Sequence, residues 1–182
     1  GGQDLGVELC VKRAAGRVPV VAGAGSSGTA EAVRVAEHAA TAGADAVLIV
    51  SPYYNKPTQA GLYAHFAAVA AAVDVPVIVY DIPGRSIVRV NDDTLARLAS
   101  DFANISGIKD ATADLVRPTA VQNLLGNDFT QLSGEDATAL PYLAAGGHGC
   151  ISVTANIAPK LLSEMHAAWW AGDIKTAQTI HQ

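Results

Sequence analysis

The chain is short of several residue types that mark common classes of protein. Cysteine is confined to Cys10 and Cys150, which stand apart without metal-ligand spacing. They provide no disulfide framework, suit a reducing compartment such as the cytoplasm, and read as small buried hydrophobes. Lysine and arginine form no cluster or stripe, and the net charge is -5. The electrostatic footprint expected of a nucleic-acid or anionic-lipid binder is therefore missing, and a small-molecule partner is favoured. No apolar run approaches the ~18 residues of a membrane span. Residues Gly1 to Gly6 lack the basic region and apolar core of a signal peptide, and position 1 is not Met, so the natural start is expected elsewhere. Aromatics are only 5% of the chain and charged residues 16%.

Hydrophobic residues, by contrast, make up 50% of the chain, enough apolar material for a single domain over 1–182. Short β-branched runs recur at Val18 to Val21, Ala46 to Val50, Val75 to Tyr80, Ile105 to Ile108, Phe129 to Leu132 and Gly149 to Val153. Helical periodicity fills the gaps at Thr29 to Ala42, Gln59 to Val73, Asp92 to Leu98, Asp114 to Leu125, Ala137 to Ala144 and Pro159 to Trp170. Residues 7 to 15 resemble the tail of a helix, and another starts at Asp173. Near-continuous strands such as Val47-Leu48-Ile49-Val50 predict burial on both faces, as a parallel sheet requires. The pattern is an α/β repeat that fits an open doubly wound sheet or part of a (β/α)₈ TIM barrel. A complete barrel takes ~250 residues, so about six of its eight units are expected here, with the shortfall N-terminal. Six strands cannot close such a barrel, and an isolated 182-residue polypeptide would leave unpaired edges and is expected to aggregate or swap strands.

Gly23-Ala24-Gly25-Ser26-Ser27-Gly28 has the spacing of a dinucleotide-binding turn. That fingerprint also requires an acid at the end of the next strand, where this chain has Ser51-Pro52. Asp45 stands at the wrong end of that strand, so the glycines alone do not indicate a nucleotide.

Polar groups gather instead at strand ends, where parallel barrels place their chemistry. The second strand runs into Ser51-Pro52-Tyr53-Tyr54-Asn55-Lys56-Pro57, the third ends at Tyr80-Asp81-Ile82-Pro83-Gly84-Arg85, and the fourth at Gly107-Ile108-Lys109-Asp110. An apolar strand end disfavours an ammonium relative to the neutral, nucleophilic amine, which can attack a ketone. On its own Lys109 could equally snorkel to solvent. A phenol such as Tyr80 can move the protons of carbinolamine formation and dehydration, with Tyr54 extending the relay, though either tyrosine also suits an amphipathic cap on the core. Arg85, after a Pro-Gly turn, offers a planar fork to a carboxylate, or is an ordinary surface arginine. His148 reads as structural, His38, His65 and His166 as helical and either solvated or satisfied, and Trp169-Trp170 as a packing surface or an exposed interface.

The segments Ser51 to Pro57, Tyr80 to Arg85, Gly107 to Thr112, Leu132 to Asp136 and Gly146 to Asn156 occur in the order of the signature segments of the dihydrodipicolinate synthase family, which the chain resembles from about Gly16 onward. The resemblance implies an N-terminally truncated (β/α)₈ barrel and a lyase that needs no cofactor beyond a covalent imine. Lys109 would form a Schiff base with pyruvate, and the enamine would add to L-aspartate 4-semialdehyde, opening lysine (diaminopimelate) biosynthesis. Tyr80 would be the tyrosine at the imine, Tyr54 the relay tyrosine reaching across a dimer interface, and Arg85 the group that binds the semialdehyde carboxylate. Gly134 and Ile151 would line the pyruvate pocket.

Gly25, Ser27, Glu31 and Tyr53 match positions where some members bind inhibitory lysine, although Ser27 departs from the Asn common there. Asp81 and Asp110 replace a usual Asn and a common Glu. The family's Gly-Thr-Thr-Gly-Glu segment, with the threonine between the two tyrosines, is not in this sequence. The family further implies a cytoplasmic homotetramer, a dimer of dimers, without nucleic-acid or membrane partners. Sister aldolases, such as N-acetylneuraminate lyase or a keto-deoxy-sugar-acid aldolase, would share the lysine and strand-end tyrosine but lack an arginine at the position of Arg85. An inactive barrel fragment is the alternative from outside catalysis.

Overall fold

A computed structural model describes residues 2–182. Two compact units divide the chain, one ending at Ile108 and the other Lys109–Gln182. The first holds α1 (Gly2–Ala14), β1 (Val21–Gly23), α2 (Thr29–Thr41), β2 (Ala46–Val50), α3 (Gln59–Ala72), β3 (Val77–Asp81), α4 (Pro83–Ser86), α5 (Asp92–Asp101) and most of β4 (Ile105–Asp110). The second takes the last residues of β4, then α6 (Arg117–Leu125), β5 (Thr130–Ser133), α7 (Ala139–Ala144), β6 (Gly149–Cys150), α8 (Pro159–Trp170) and α9 (Ile174–His181). Among the described residues no helix is long and apolar enough to cross a membrane.

Within the first unit the strands lie side by side in chain order and run parallel, Val47 opposite Val77 and Val50 opposite Tyr80. Alternation along β2 and β3 sends Val47, Ile49, Val77 and Val79 into a fully buried layer with Leu62, Phe66 and Val69 of α3. Leu95 and Leu98 of α5 belong to the same apolar core. Leu48, Val50 and Tyr80 then lie on the other face. In the second unit β5 and β6 are parallel, Ser133 opposite Cys150. Its core joins Leu140 and Leu143 of α7 to Met165 of α8 and Ala177 of α9, with Trp169 packed against them. Trp170 is exposed, so only one tryptophan of the pair packs.

Several boundaries differ from the sequence pattern, each for a visible reason. β1 starts at Val21, not Val18. Pro19 has no N–H, the N–H of Val20 donates to the Asp45 carboxylate at 2.6 Å, and Val18 is 60% exposed. β3 begins at Val77 because Pro76 cannot donate, and it runs on through Asp81. The helix expected from Asp114 starts only at Arg117, because a staircase of side-chain caps comes first. Thr112 N–H donates to Asp110, Asp114 N–H to Thr112, and Val116 N–H to Asp114. β6 stops at Cys150 instead of Val153, since the amides of Val153 and Thr154 donate to the carboxylate of Asp136. Cys10 is exposed on α1 and not buried.

Gly25 explains its own place in the false dinucleotide pattern. A Cβ there would stand 2.5 Å from Val50 Cγ1 and 2.6 Å from the Val50 nitrogen, so the loop after β1 lies directly on β2. Because the obstacle is backbone, Gly25→Ala should destabilise the fold by about 1–3 kcal/mol. Differential scanning calorimetry of the full-length protein should find Tm lower by several degrees, and an unchanged Tm would show that the loop has room to yield.

Candidate functional site

The candidate residues fall into two groups, one in each unit. In the first, Tyr80, Arg85, Gly25 and Tyr53 line one cavity of about 680 Å³ with Leu48, Val50, Ile82 and Ser86. The register of β2 and β3 makes this wall, since Val50 and Tyr80 are paired neighbours. Arg85 is not on a simple Pro-Gly turn. It belongs to α4, a single helical turn with Pro83 at its start. The buried hydroxyl of Ser86 ties that turn down by donating to the carbonyl of Ile82 at 2.9 Å and contacting that of Val88 at 3.0 Å. Asp81, wholly buried at the end of β3, accepts from the N–H of Val90 at 3.2 Å and closes the loop behind Arg85. Gln59 braces the same loop from α3, donating to the carbonyl of Arg89 and accepting from the N–H of Asn91.

The other first-unit candidates stand outside that cavity's lining. Tyr54 is 92% exposed and has a positive φ of 77°, as does Lys56 at 47°. Such a conformation is uncommon for a bulky residue and holds the ring out toward solvent. Glu31 is also exposed; its carboxylate accepts from Arg34 Nη2 and Nε at 2.9 and 3.1 Å, and this hydrogen bonding holds its pKa below the usual range. The carbonyl of Ser27 accepts from Asn55 at 3.2 Å. His65 is buried against Phe66, its Nδ1 2.9 Å from Thr29 Oγ1, and burial pushes its pKa down.

In the second unit Lys109 is only 8% exposed. Its chain runs across Gly134, where a Cβ would come within 3.0 Å of Lys109 Cε and 2.8 Å of the Ala111 methyl. Only glycine leaves the lysine this path. Backbone bonds bring the three candidates of this unit to one line. The N–H of Gly134 donates to the carbonyl of Asp110 at 2.7 Å, and the N–H of Ile151 donates to Ser133 at 2.9 Å. The segment bearing Ile151 is then fixed by Asp136, whose Oδ2 accepts from Val153 N–H, Thr154 N–H and Thr154 Oγ1 at 2.9–3.1 Å. Burial raises the pKa of Asp136, but the hydrogen bonds from Ser152, Thr154 and Val153 outweigh it and hold the carboxyl below its ordinary value. Burial, with Asp136 nearby, lifts the Cys150 thiol to about 11, so it stays protonated.

Three features escaped the sequence reading. Asp110 accepts from Thr112 N–H and Oγ1 at 2.9 and 2.7 Å and forms an ion pair with Arg117 at 3.6 Å, both side chains being buried. Their signal was the Asp110-x-Thr112-x-Asp114 spacing, in which alternate residues cap the next turn. Ser86 and Gln59 carried no local signal, because their partners lie across a loop. His148 is tied to β5: its Nδ1 accepts the N–H of Gln131 at 3.0 Å, while its backbone N–H donates to the Gln131 carbonyl.

These observations define an α/β protein with a parallel sheet and a lysine shielded at the end of one of its strands. Residues 5–182 match the model of the Dihydrodipicolinate synthetase family, and the chain belongs to that family. It is 58% identical over 175 residues to 4-hydroxy-tetrahydrodipicolinate synthase of Bradyrhizobium diazoefficiens and 59% identical over 177 residues to that of Methylobacterium radiotolerans. These alignments take in 96% and 97% of this chain but 59% of each relative, so the chain spans about three fifths of their length. Among solved structures it is similar to dihydrodipicolinate synthase from Aquifex aeolicus, at 45% identity and a TM-score of 0.95, covering 99% of this chain and 61% of the other. It is also similar to the chloride-inhibited enzyme from Acinetobacter baumannii complexed with pyruvate, at 44% identity and a TM-score of 0.93, covering 99% and 62%.

Proposed function

We propose that the protein is a Schiff-base lyase that condenses pyruvate with L-aspartate 4-semialdehyde to 4-hydroxy-tetrahydrodipicolinate. The observation that carries this reading is Lys109, nearly shielded from water and laid over a glycine that no other residue could replace without moving it. The names of the relatives support the reaction, and the pyruvate complex of the Acinetobacter baumannii enzyme supports the first substrate. The roles follow the family resemblance. The Lys109 amine attacks the ketone carbon of pyruvate, the carbinolamine loses water, and the imine loses a methyl proton to become an enamine. The enamine carbon then bonds to the aldehyde carbon, whose oxygen takes up a proton, and the amine of the semialdehyde attacks the imine carbon, closing the ring as the Lys109 amine departs.

Tyr80 exchanges protons during imine formation, and Tyr54 passes them on from the partner protomer of a dimer. Its exposure and outward turn suit a side chain completed by a second copy. Arg85, held by the braced β3 loop, receives the semialdehyde carboxylate in a two-point hydrogen bond. Gly134 and Ile151 enclose the pyruvate end, and Gly25, Ser27, Glu31 and Tyr53 form the lysine-responsive surface. We further read these six βα units as part of a single eight-unit (β/α)₈ barrel domain, active in the cytoplasm as a dimer of dimers and needing no cofactor beyond the covalent imine.

Borohydride reduction of the full-length protein mixed with pyruvate tests this directly. Peptide mapping should find one reduced pyruvate on the nitrogen of Lys109. A protein left unmodified, or modified at another lysine, would remove the proposal.

A further inference from the structure

The residue after Lys109 is tied to a charge that the lyase chemistry does not use. Arg117 is among the largest completely buried side chains, and its guanidinium lies 3.6 Å from Asp110 Oδ1. This pair is hard to explain as a source of stability. Buried ion pairs roughly break even against apolar replacements. Arg117 is also the first residue of α6, where the helix dipole repels a cation. The arrangement thus works against both burial and helix electrostatics, and a reason lies in what Asp110 adjoins.

Side chains alternate along β4, so Lys109 and Asp110 leave the strand on opposite faces. Lys109 crosses Gly134, whereas Asp110 meets Thr112 and Arg117. The backbone of Asp110 serves the lysine's side as well, its carbonyl accepting from the N–H of Gly134 at 2.7 Å. One residue therefore joins the ion pair to the glycine over which the amine lies.

We propose that the Asp110–Arg117 pair is a positioning device for Lys109. Arg117 anchors the carboxylate on the far side of β4, so that the strand end carrying Lys109 stays in place and the Asp110 carbonyl keeps its hydrogen bond from Gly134. Thr112 completes the grip through its hydroxyl, 2.7 Å from Asp110. The inference rests on the Schiff-base reading above and adds residues that do not touch substrate.

The test measures borohydride trapping of pyruvate by the full-length protein, as a rate per folded molecule, with folding followed by near-ultraviolet circular dichroism. Arg117→Met should lower the rate at saturating pyruvate by about tenfold to a hundredfold, the scale of a misplaced reacting group. The pyruvate concentration for half-saturation should stay within about twofold, since the substrate pocket is untouched. Arg117→Lys, which keeps the charge, should recover much of the loss. Should Arg117→Met fail to fold, Thr112→Val removes the hydroxyl that donates to Asp110, together with its cap on the Asp114 N–H, and should slow trapping by several-fold. Wild-type rates per folded molecule in every folded variant would overturn the proposal, as would a loss confined to half-saturation. Absence of trapping in the unsubstituted protein would instead dismiss the lyase reading itself.

Discussion

Lys109→Ala is expected to abolish the pyruvate adduct and lower turnover by at least about 10³-fold, the order seen when a covalent nucleophile is removed. Lys109→Arg should be as inactive, although it keeps the charge and most of the length. A guanidinium stays protonated and has no free amine to form an imine. Both variants should keep the far-ultraviolet circular dichroism of the parent, because the lysine chain lies over Gly134 and is not part of the second unit's apolar core. Stopped-assay turnover with pyruvate and the semialdehyde, set beside the trapping yield, distinguishes the outcomes. Appreciable turnover by Lys109→Ala would mean that the nucleophile lies elsewhere.

The second large effect should come from one methyl group. Gly134→Ala places a carbon 3.0 Å from Lys109 Cε and 2.8 Å from the Ala111 methyl. The Ala111 methyl is fixed to its backbone and cannot yield by rotation, so the new carbon pushes the two strand ends apart and moves the lysine chain with them. A displacement of about 1 Å at a reacting group can lower a rate by about 10²-fold. Trapping should slow to that extent, and Gly134→Val should slow it further. Overpacking should also lower stability by about 1–3 kcal/mol, which a urea melt would register separately. If Gly134→Ala traps pyruvate at the parental rate, the lysine's path over the glycine has no bearing on its reactivity.

The repeat itself was legible because each apolar run is bounded by turn chemistry. β2 and α8 coincide with the runs at Ala46 to Val50 and Pro159 to Trp170. Strand ends were less legible, since they depend on which amides meet a side chain first. Asp45 and Asp136 each take a backbone donor that periodicity assigns to a strand, and Asp114 takes one, from Val116, that it assigns to a helix. The candidate residues could be proposed because they sit beside Gly, Pro and charged residues at strand ends, where polar groups stand out against apolar neighbours. Their surroundings could not be read in the same way. The cradle of Gly134, the lock on α4 by Ser86 and the buried partner of Asp110 all depend on distances between residues separated by a loop. Gly25 shows the converse: its motif was plain in the sequence, but its meaning was contact with Val50 and not a phosphate.

The carboxylate of Asp136 belongs to the connection after β5, yet its grip falls on Val153 and Thr154, beyond β6. Those two connections consequently shift as one plate, and an edit to either is inherited by the other. Anyone reshaping the rim near Ile151 to admit a different aldehyde must therefore redesign both stretches together, for a library that varies one alone explores motions the other forbids.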